Sequence, residues 1–347
     1  MIITLLVFIL LTSEALSAAS PPVLSKMYKR IETDGENIEC QPSWFAGNPP
    51  VESIPHAHFI EAYEPLSDHS LTLDEWGDAA RITLDEALPR CGVVLLRNLK
   101  FIHTAADFAK FWRGCCADKT SWEPAIYRAW GPNRQQEDGV DLATNIPASI
   151  VLPCHNENAY FPQPVGRICL FCSKSAIEGK HSSTTRTLSS CFNSNGSQSS
   201  GGESLVARNQ DITDLISDDV KDFIKAHGGL RYVCKFHSAA NDEEKVKAAS
   251  PTSAFGQSWQ SKCGTESKDE VKRMFIEIGF KAPDIEFDED DNVTLTYISS
   301  GFRTDAYTGN ESWFSVGIEM GLADTADGTP FTQEMKDNVR MANWKVR

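Results

Sequence analysis

No stretch of this chain repeats the strand–helix–strand cadence that a parallel sheet with crossover helices demands. That absence narrows the fold more than any other feature. What the sequence offers instead is short strands set among separate helices. The segment TLDEALPRCGVVLLRNL reads as a short helix, a Pro89-Arg90-Cys91-Gly92 turn and a buried strand over Val93–Leu96. In HTAADFAKFWRG, Thr104 and Asp107 are spaced as a capping box, and Gly114 stops the helix. Phe108, Phe111 and Trp112 there share one face, which makes them core. SDDVKDFIKAHGG predicts a helix with Val220, Phe223 and Ile224 inward. SKDEVKRMFIEIGF predicts another, opened by Ser267 and Glu270 and burying Val271, Met274, Phe275 and Ile278. Strand character falls on GRICLFCS (166–173), RYVCKF, NVTLTYISS and WFSVGIEM, the last following the turn YTGNES. Pro147 and Pro153 confine the strand at Ser149–Leu152 to a few residues. The pattern predicts an α+β fold around a β-barrel or jelly roll.

A chain of 347 residues can bury a large core. Its net charge of −15, without a Lys/Arg cluster, excludes a nucleic-acid partner. The first 17 residues read as a secretory signal. A mostly apolar run over Ile2–Leu11 precedes Ala15-Leu16-Ser17, with small residues where signal peptidase needs them. The run lacks Lys and Arg, which leaves a membrane tether as the other reading. No later segment has enough consecutive apolar residues to span a bilayer, so no membrane span is expected once the signal is removed. Three glycosylation sequons, at Asn195, Asn292 and Asn310, agree with the secretory pathway, either its lumen or the exterior. Ten cysteines lie beyond Cys40 inclusive, and their pairing cannot be read from spacing. Cys169 and Cys172 form a C-x-x-C without a second such pair, which makes them core cysteines rather than zinc ligands. Residues 18–70 lack periodicity and read as an arm. Residues 180–200, rich in Ser and Thr, read as a flexible insertion in a domain spanning 71–347.

Chemistry concentrates in LPCHNENAYFPQP, residues 152–164. His155 and Glu157, one residue apart, can place an imidazole nitrogen and a carboxylate oxygen on one metal. A distant second His would complete the facial triad of non-haem iron(II) oxygenases, which leaves positions open for a 2-oxo acid and O₂. Alone, a His-x-Glu pair is common on surfaces.

The surrounding blocks add to it. VLPCHNENAYFPQPVGRICLFC followed by GGES resembles the taurine-dioxygenase-like (clavaminate-synthase-like) family of iron(II)/2-oxoglutarate oxygenases. GVVLLRN, GLRYVCKF, SWQSKCGTESKDEV and TGNESWF extend the resemblance in the same order over about residues 80–335. It implies a double-stranded β-helix (jelly-roll) core with flanking helices, and cofactors Fe(II) and 2-oxoglutarate. It also implies O₂ and a small-molecule substrate as partners. His155 and Glu157 match the iron ligands, and Ser204 the hydroxyl that helps hold 2-oxoglutarate. Asn158, Tyr160, Trp313 and Phe314 match positions lining the substrate pocket. For Trp313 and Phe314 ordinary core packing is an equal alternative, and for Ser204 a turn role after two glycines.

Two features depart from the family pattern. The insertion separates GRICLFCS from GGES, which the family keeps close. The family's distal His and its 2-oxoglutarate-binding Arg belong to a segment that would begin about where this sequence reaches Arg347. His181, His227 and His237 match neither. The resemblance therefore implies a site lacking its third ligand, with weak iron binding and poor turnover. A non-catalytic secreted relative that keeps the fold as a binding or structural module is the alternative.

Overall fold

The structure is a computed structural model that describes residues 6–10, 27–31, 60–66, 71–116, 135–137, 140–141, 154–164, 167–172, 206–241, 258–304, 309–319 and 321–345. Ser204, the strand expected at Ser149–Leu152 and the Ser/Thr-rich stretch 180–200 lie outside them. Two groups of elements mix helices and strands, and none of the sheets closes into a barrel among the described residues.

The N-terminal group is built on strands β1 (Leu6–Leu10), β2 (Tyr28–Ile31), β3 (Ile60–Pro65) and β4 (Val93–Leu96). A small two-stranded sheet of β5 (Gln135–Glu137) and β6 (Val140–Asp141) follows, then β7 (Arg167–Phe171). The large sheet runs β2-β3-β4-β1-β7. Its β3–β4 pair is parallel, with Ile60 opposite Val93. Parallel neighbours need a long crossover, and α1 (Leu73–Cys91) supplies it. So one strand–helix–strand unit does exist, a single instance that no neighbouring stretch repeats among the described residues. The stretch 18–70 contributes β2 and β3 to this sheet instead of lying wholly as an arm. The apolar run at Leu6–Leu10 pairs antiparallel with both β4 and β7.

Helix α1 starts at a reciprocal cap: Glu75 N donates to Thr72 Oγ1 at 3.3 Å, and Thr72 N donates to Glu75 Oε2 at 2.8 Å. It does not stop at the expected turn. Pro89 lies inside its last turn, and the helix ends at Gly92, φ +77°, whose N–H donates to Leu88 O at 2.7 Å. A proline removes one helical hydrogen bond and strains the preceding turn. Here Ala87, Leu88 and Cys91 are all buried, and their packing outweighs that cost.

Helix α2 (Ala105–Cys115) carries the expected capping box, Asp107 N to Thr104 Oγ1 at 3.1 Å and Thr104 N to Asp107 Oδ2 at 3.0 Å. Phe108 and Phe111 are buried as expected, and Trp112 is packed at the edge of the same core. Phe108 stacks on Phe171 of β7 with ring centroids 5.0 Å apart, which lays α2 across the sheet. Cys169 sits on the same side of β7 as Phe171, two residues away, and packs into this core. Its thiol and that of Cys115 are pushed up well above their usual value, first by burial and then by neighbouring thiols. That agrees with the reading of Cys169 as a core cysteine.

One buried charge ties sheet to helix. Glu61 of β3 is 7% exposed and accepts from Arg90 Nε at 3.1 Å, Arg90 Nη2 at 2.8 Å and Tyr63 Oη at 2.7 Å. The Arg90 guanidinium holds the Glu61 carboxyl below its usual range; burial opposes this and the Tyr63 hydroxyl assists. A depressed carboxyl contributes stability that is complete above its unfolded pKa and fades as pH falls through the folded one. Arg90→Met leaves Glu61 buried with only the exposed Arg30, 3.6 Å away, as its cation. It is expected to cost about 1–3 kcal/mol at pH 7, less than for a fully buried pair because Arg90 is more than half exposed. Urea unfolding at pH 7 and pH 3 checks this: the gap between variant and wild type narrows at pH 3, and a gap independent of pH counts against the role of Glu61.

The C-terminal group opens with helices α3 (Asn209–Leu215) and α4 (Asp218–Ala226) and strand β8 (Leu230–Phe236). Helices α5 (Trp259–Cys263) and α6 (Lys268–Glu277) follow, then β9 (Ile285–Phe287), β10 (Val293–Ser299), β11 (Phe302–Thr304), β12 (Glu311–Trp313), β13 (Ala323–Thr325) and helix α7 (Gln333–Lys345). Its antiparallel sheet runs β13-β8-β10-β9. In β8, Leu230, Tyr232, Cys234 and Phe236 are buried and the residues between them are not, the period-2 signature of a strand with one face on a core. Two apolar clusters fill this half, and Tyr160 and Tyr297 pack against both. The loop carrying His155 therefore threads between them.

Candidate functional site

Residues 154–164 form a turn held by alternate side chains. Asn156, Asn158, Ala159 and Phe161 are buried; His155 and Glu157 face outward, their side chains 31% and 43% exposed. Asn158 adopts φ +55°, a left-handed conformation that Asn tolerates better than most residues. Its carbonyl accepts from Phe161 N at 2.9 Å. Phe161, fully buried, meets Phe280 edge to face at 5.8 Å. Such anchoring on both sides of the exposed pair fixes where His155 and Glu157 stand.

The two side chains meet. His155 Nε2 lies 3.4 Å from Glu157 Oε2. Two donors each about 2.1 Å from one ion, at roughly right angles or slightly more, stand about 3.0–3.4 Å apart. The pair thus fits two neighbouring positions on a divalent cation. Among the described residues, no three His, Cys, Asp or Glu side chains converge closely enough to hold a metal. His227 is engaged elsewhere, its Nδ1 2.8 Å from Asp327 Oδ2 beyond the end of α4. His181 lies outside the described residues.

The WF block reaches this loop through Ser315. Asn156 N donates to Ser315 O at 3.4 Å, and Ser315 N donates to Asn156 Oδ1 at 3.2 Å. Asn156 Nδ2 donates to Asn209 Oδ1 at 3.0 Å, and Tyr232 Oη lies 2.8 Å from Ser315 Oγ. Asn156, Asn209, Ser315 and Tyr232 so form one largely buried polar network anchored at the residue between His155 and Glu157, where a lost partner is costly. Trp313 and Phe314 are each 2% exposed and belong to the core cluster beside the loop. Trp313 N donates to Thr213 Oγ1 at 2.7 Å. The Arg303 guanidinium lies over the Phe314 ring, 4.4 Å from its centroid, and Arg303 Nη2 donates to Pro162 O at 3.4 Å. Tyr160 is half-buried between the two clusters, and Asn158 is turned inward by the loop.

One buried acid missed at the sequence level follows Ser315 along the chain. After Ser315 the chain turns sharply at Gly317, φ +84°, with Leu322 N donating to Gly317 O at 2.8 Å. A Cβ at Gly317 would sit 2.7 Å from that of Leu322, so the turn needs glycine on two counts. It folds Glu319 inward to 8% exposure. Asn343 Nδ2 of α7 donates to Glu319 Oε1 at 3.3 Å, and Arg340 Nη2 donates to the Glu319 carbonyl at 3.1 Å. Among the described residues, Glu319 Oε2 is buried with no hydrogen-bond partner. Burial pushes the carboxyl up, while its own backbone N–H, Arg340, Asn343 and the His155 imidazole act in the other direction. The signal in the sequence was a lone charge within the otherwise uncharged WFSVGIEM.

No family model matches the chain. Over 268 residues it is 22% identical to the dapdiamide synthesis protein DdaC of Enterobacter agglomerans. The aligned region covers 77% of this chain and 65% of that protein, so the chain spans under two thirds of the relative's length. The likeness is distant. Among the described residues, no helix is long and apolar enough to cross a membrane.

Proposed function

We propose that this chain is an oxidoreductase of the iron(II)/2-oxoglutarate-dependent dioxygenase type, acting on a small organic substrate with O₂ and completing a jelly-roll core. The observation that carries the reading is the facing pair His155 Nε2 and Glu157 Oε2, held by a buried network within the blocks that resemble the taurine-dioxygenase-like family. The distant likeness to a dapdiamide synthesis protein supports a biosynthetic enzyme of oxygenase type. A secretory-pathway setting belongs to the proposal through the N-terminal apolar run and the sequons.

His155 and Glu157 would hold iron(II), and Ser204 would help hold 2-oxoglutarate. Bound together, these supply the oxidising chemistry; the chain supplies position and shelter. Asn156 fixes the backbone of both ligands through Ser315 and Asn209. The buried Trp313 and Phe314 back the loop, and Asn158 and Tyr160 complete that wall, so water is excluded on the core side.

The alternative, a non-catalytic secreted relative, draws on the finding that no third donor joins the pair among the described residues. Aerobic incubation of the purified chain with iron(II), ascorbate and 2-oxoglutarate separates the two. Slow, iron-dependent succinate release that His155→Ala abolishes supports the oxygenase. Cation binding with no succinate release supports the binding module, and robust release defeats the view that the site is impaired.

A further inference from the structure

We infer that Arg303 is a carboxylate-binding residue, so that this chain takes a small organic acid beside the loop that carries His155 and Glu157. That the acid serves an oxygenase rests on the reading of His155 and Glu157 as a metal-binding pair.

The sequence carries 48 acidic and 33 basic residues, so a guanidinium that is even partly buried has acids in surplus to pair with. Several arginines of this fold do so: Arg81 and Arg167 meet Asp85, Arg90 meets Glu61, Arg208 meets Asp211 and Arg340 meets Asp337. Arg303 of β11 differs. It is partly buried, yet among the described residues it is joined to no carboxylate, and its partners are an aromatic ring and a backbone carbonyl. Both fix the group without neutralising it. The Phe314 ring, 4.4 Å away at its centroid, orients the plane of the guanidinium, and Pro162 O takes one N–H from Nη2 at 3.4 Å. Phe314 is itself 2% exposed, so that support is rigid. The β11–β12 ladder, with Arg303 opposite Ser312, holds the backbone as well. A guanidinium stacked in this way presents its remaining N–H groups as a planar fork, which matches the two oxygens of a carboxylate. Two connections set the fork at the His155 loop. Pro162 belongs to that loop, and Phe314 precedes Ser315, which bonds through both its N–H and its carbonyl to Asn156, the residue between His155 and Glu157. A carboxylate brought there by 2-oxoglutarate or by the substrate has the same chemistry, and the experiment separates the two.

The purified chain is titrated calorimetrically with 2-oxoglutarate, with butyrate, and with neutral butyramide as the control, each with and without Co(II). At low salt the acids are expected to bind and the amide is not. Arg303→Gln is expected to weaken acid binding by about 10–100-fold, the worth of a charge-assisted fork. Loss of 2-oxoglutarate affinity assigns the fork to that acid. Loss confined to butyrate, titrated into protein already saturated with 2-oxoglutarate, assigns it to the substrate. Arg303→Lys keeps the charge without the fork and is expected to restore only part of the affinity. Acid affinities in Arg303→Gln within about twofold of wild type overturn the inference, as does a wild type that binds neither acid. A purely structural Arg303 would lower the urea midpoint in Arg303→Gln and leave acid binding unmoved, which overturns it equally. The metal-pair reading fails separately. If wild type binds no Co(II) but Arg303→Gln still loses the acid, the carboxylate site stands and the oxygenase does not.

Discussion

His155→Ala is expected to lower the affinity of the purified chain for Co(II) or Fe(II) by more than about 100-fold, because it removes a donor atom itself. With two converging donors among the described residues, removing one leaves a single carboxylate, which holds a divalent cation no better than any surface acid. The same replacement is expected to leave folding nearly untouched, within about 0.5 kcal/mol, because the side chain is partly exposed and belongs to no apolar cluster. Asn156→Ala, one residue away, should behave in the opposite order. It strips the buried donors and acceptors that join Ser315 and Asn209, and about 1–3 kcal/mol of stability is expected to go with them. Isothermal titration with Co(II) and urea unfolding on both variants measure the contrast. Equal cation affinity in wild type and His155→Ala would remove the basis for the oxygenase reading.

That contrast also marks how far the sequence could be read. The exposed half of the loop was legible, because a His and a carboxylate one residue apart in an extended turn can face the same way. The buried half was not: Asn156 earns its place only through Ser315 and Asn209, both far along the chain. Glu319 shows the same limit. Whether an acid in WFSVGIEM turns in or out depends on the bend at Gly317 and on what α7 offers, and neither is local to the motif. Local signals fared well where a single interaction decides. The cap at Thr104 and Asp107 formed as the spacing requires. At Ser267 only half the cap formed: its Oγ accepts from Glu270 N, but Glu270 Oε2 is taken by Thr265 Oγ1. Where two influences compete, the local signal misled. Pro89 suggests a turn, yet the buried stripe of α1 carries the helix through it. β2 and β3 are too short to show a period of their own, and their pairing depends on α1 bringing β4 alongside.

Gly77→Ala gives the sharpest case of tertiary contact reversing a local preference. In an isolated helix the change is favourable by about 1 kcal/mol, since alanine is the better helix former. In this fold a Cβ at Gly77 would lie 2.2 Å from Phe111 O, 2.7 Å from Gly114 Cα and 3.0 Å from Cys115 N. All three are backbone atoms of α2, so no side chain can rotate away and the helices must separate. The contact is mutual, for a Cβ at Gly114 would lie 2.3 Å from Asp74 O. Separation would loosen the packing of Trp76, Leu84, Phe108 and Phe111, which share the core between the helices and the sheet. The expected result is a net loss of roughly 3 kcal/mol or more, read as a lower urea midpoint with an unchanged slope. Gly92→Ala provides the comparison. Its Cβ would meet nothing within 4 Å, so the only penalty is the left-handed backbone at φ +77°, about 1–2 kcal/mol. If Gly77→Ala instead stabilises the protein, or costs no more than Gly92→Ala, then α1 and α2 do not meet backbone to backbone, and the crossing that joins the first helix to β7 must be redrawn.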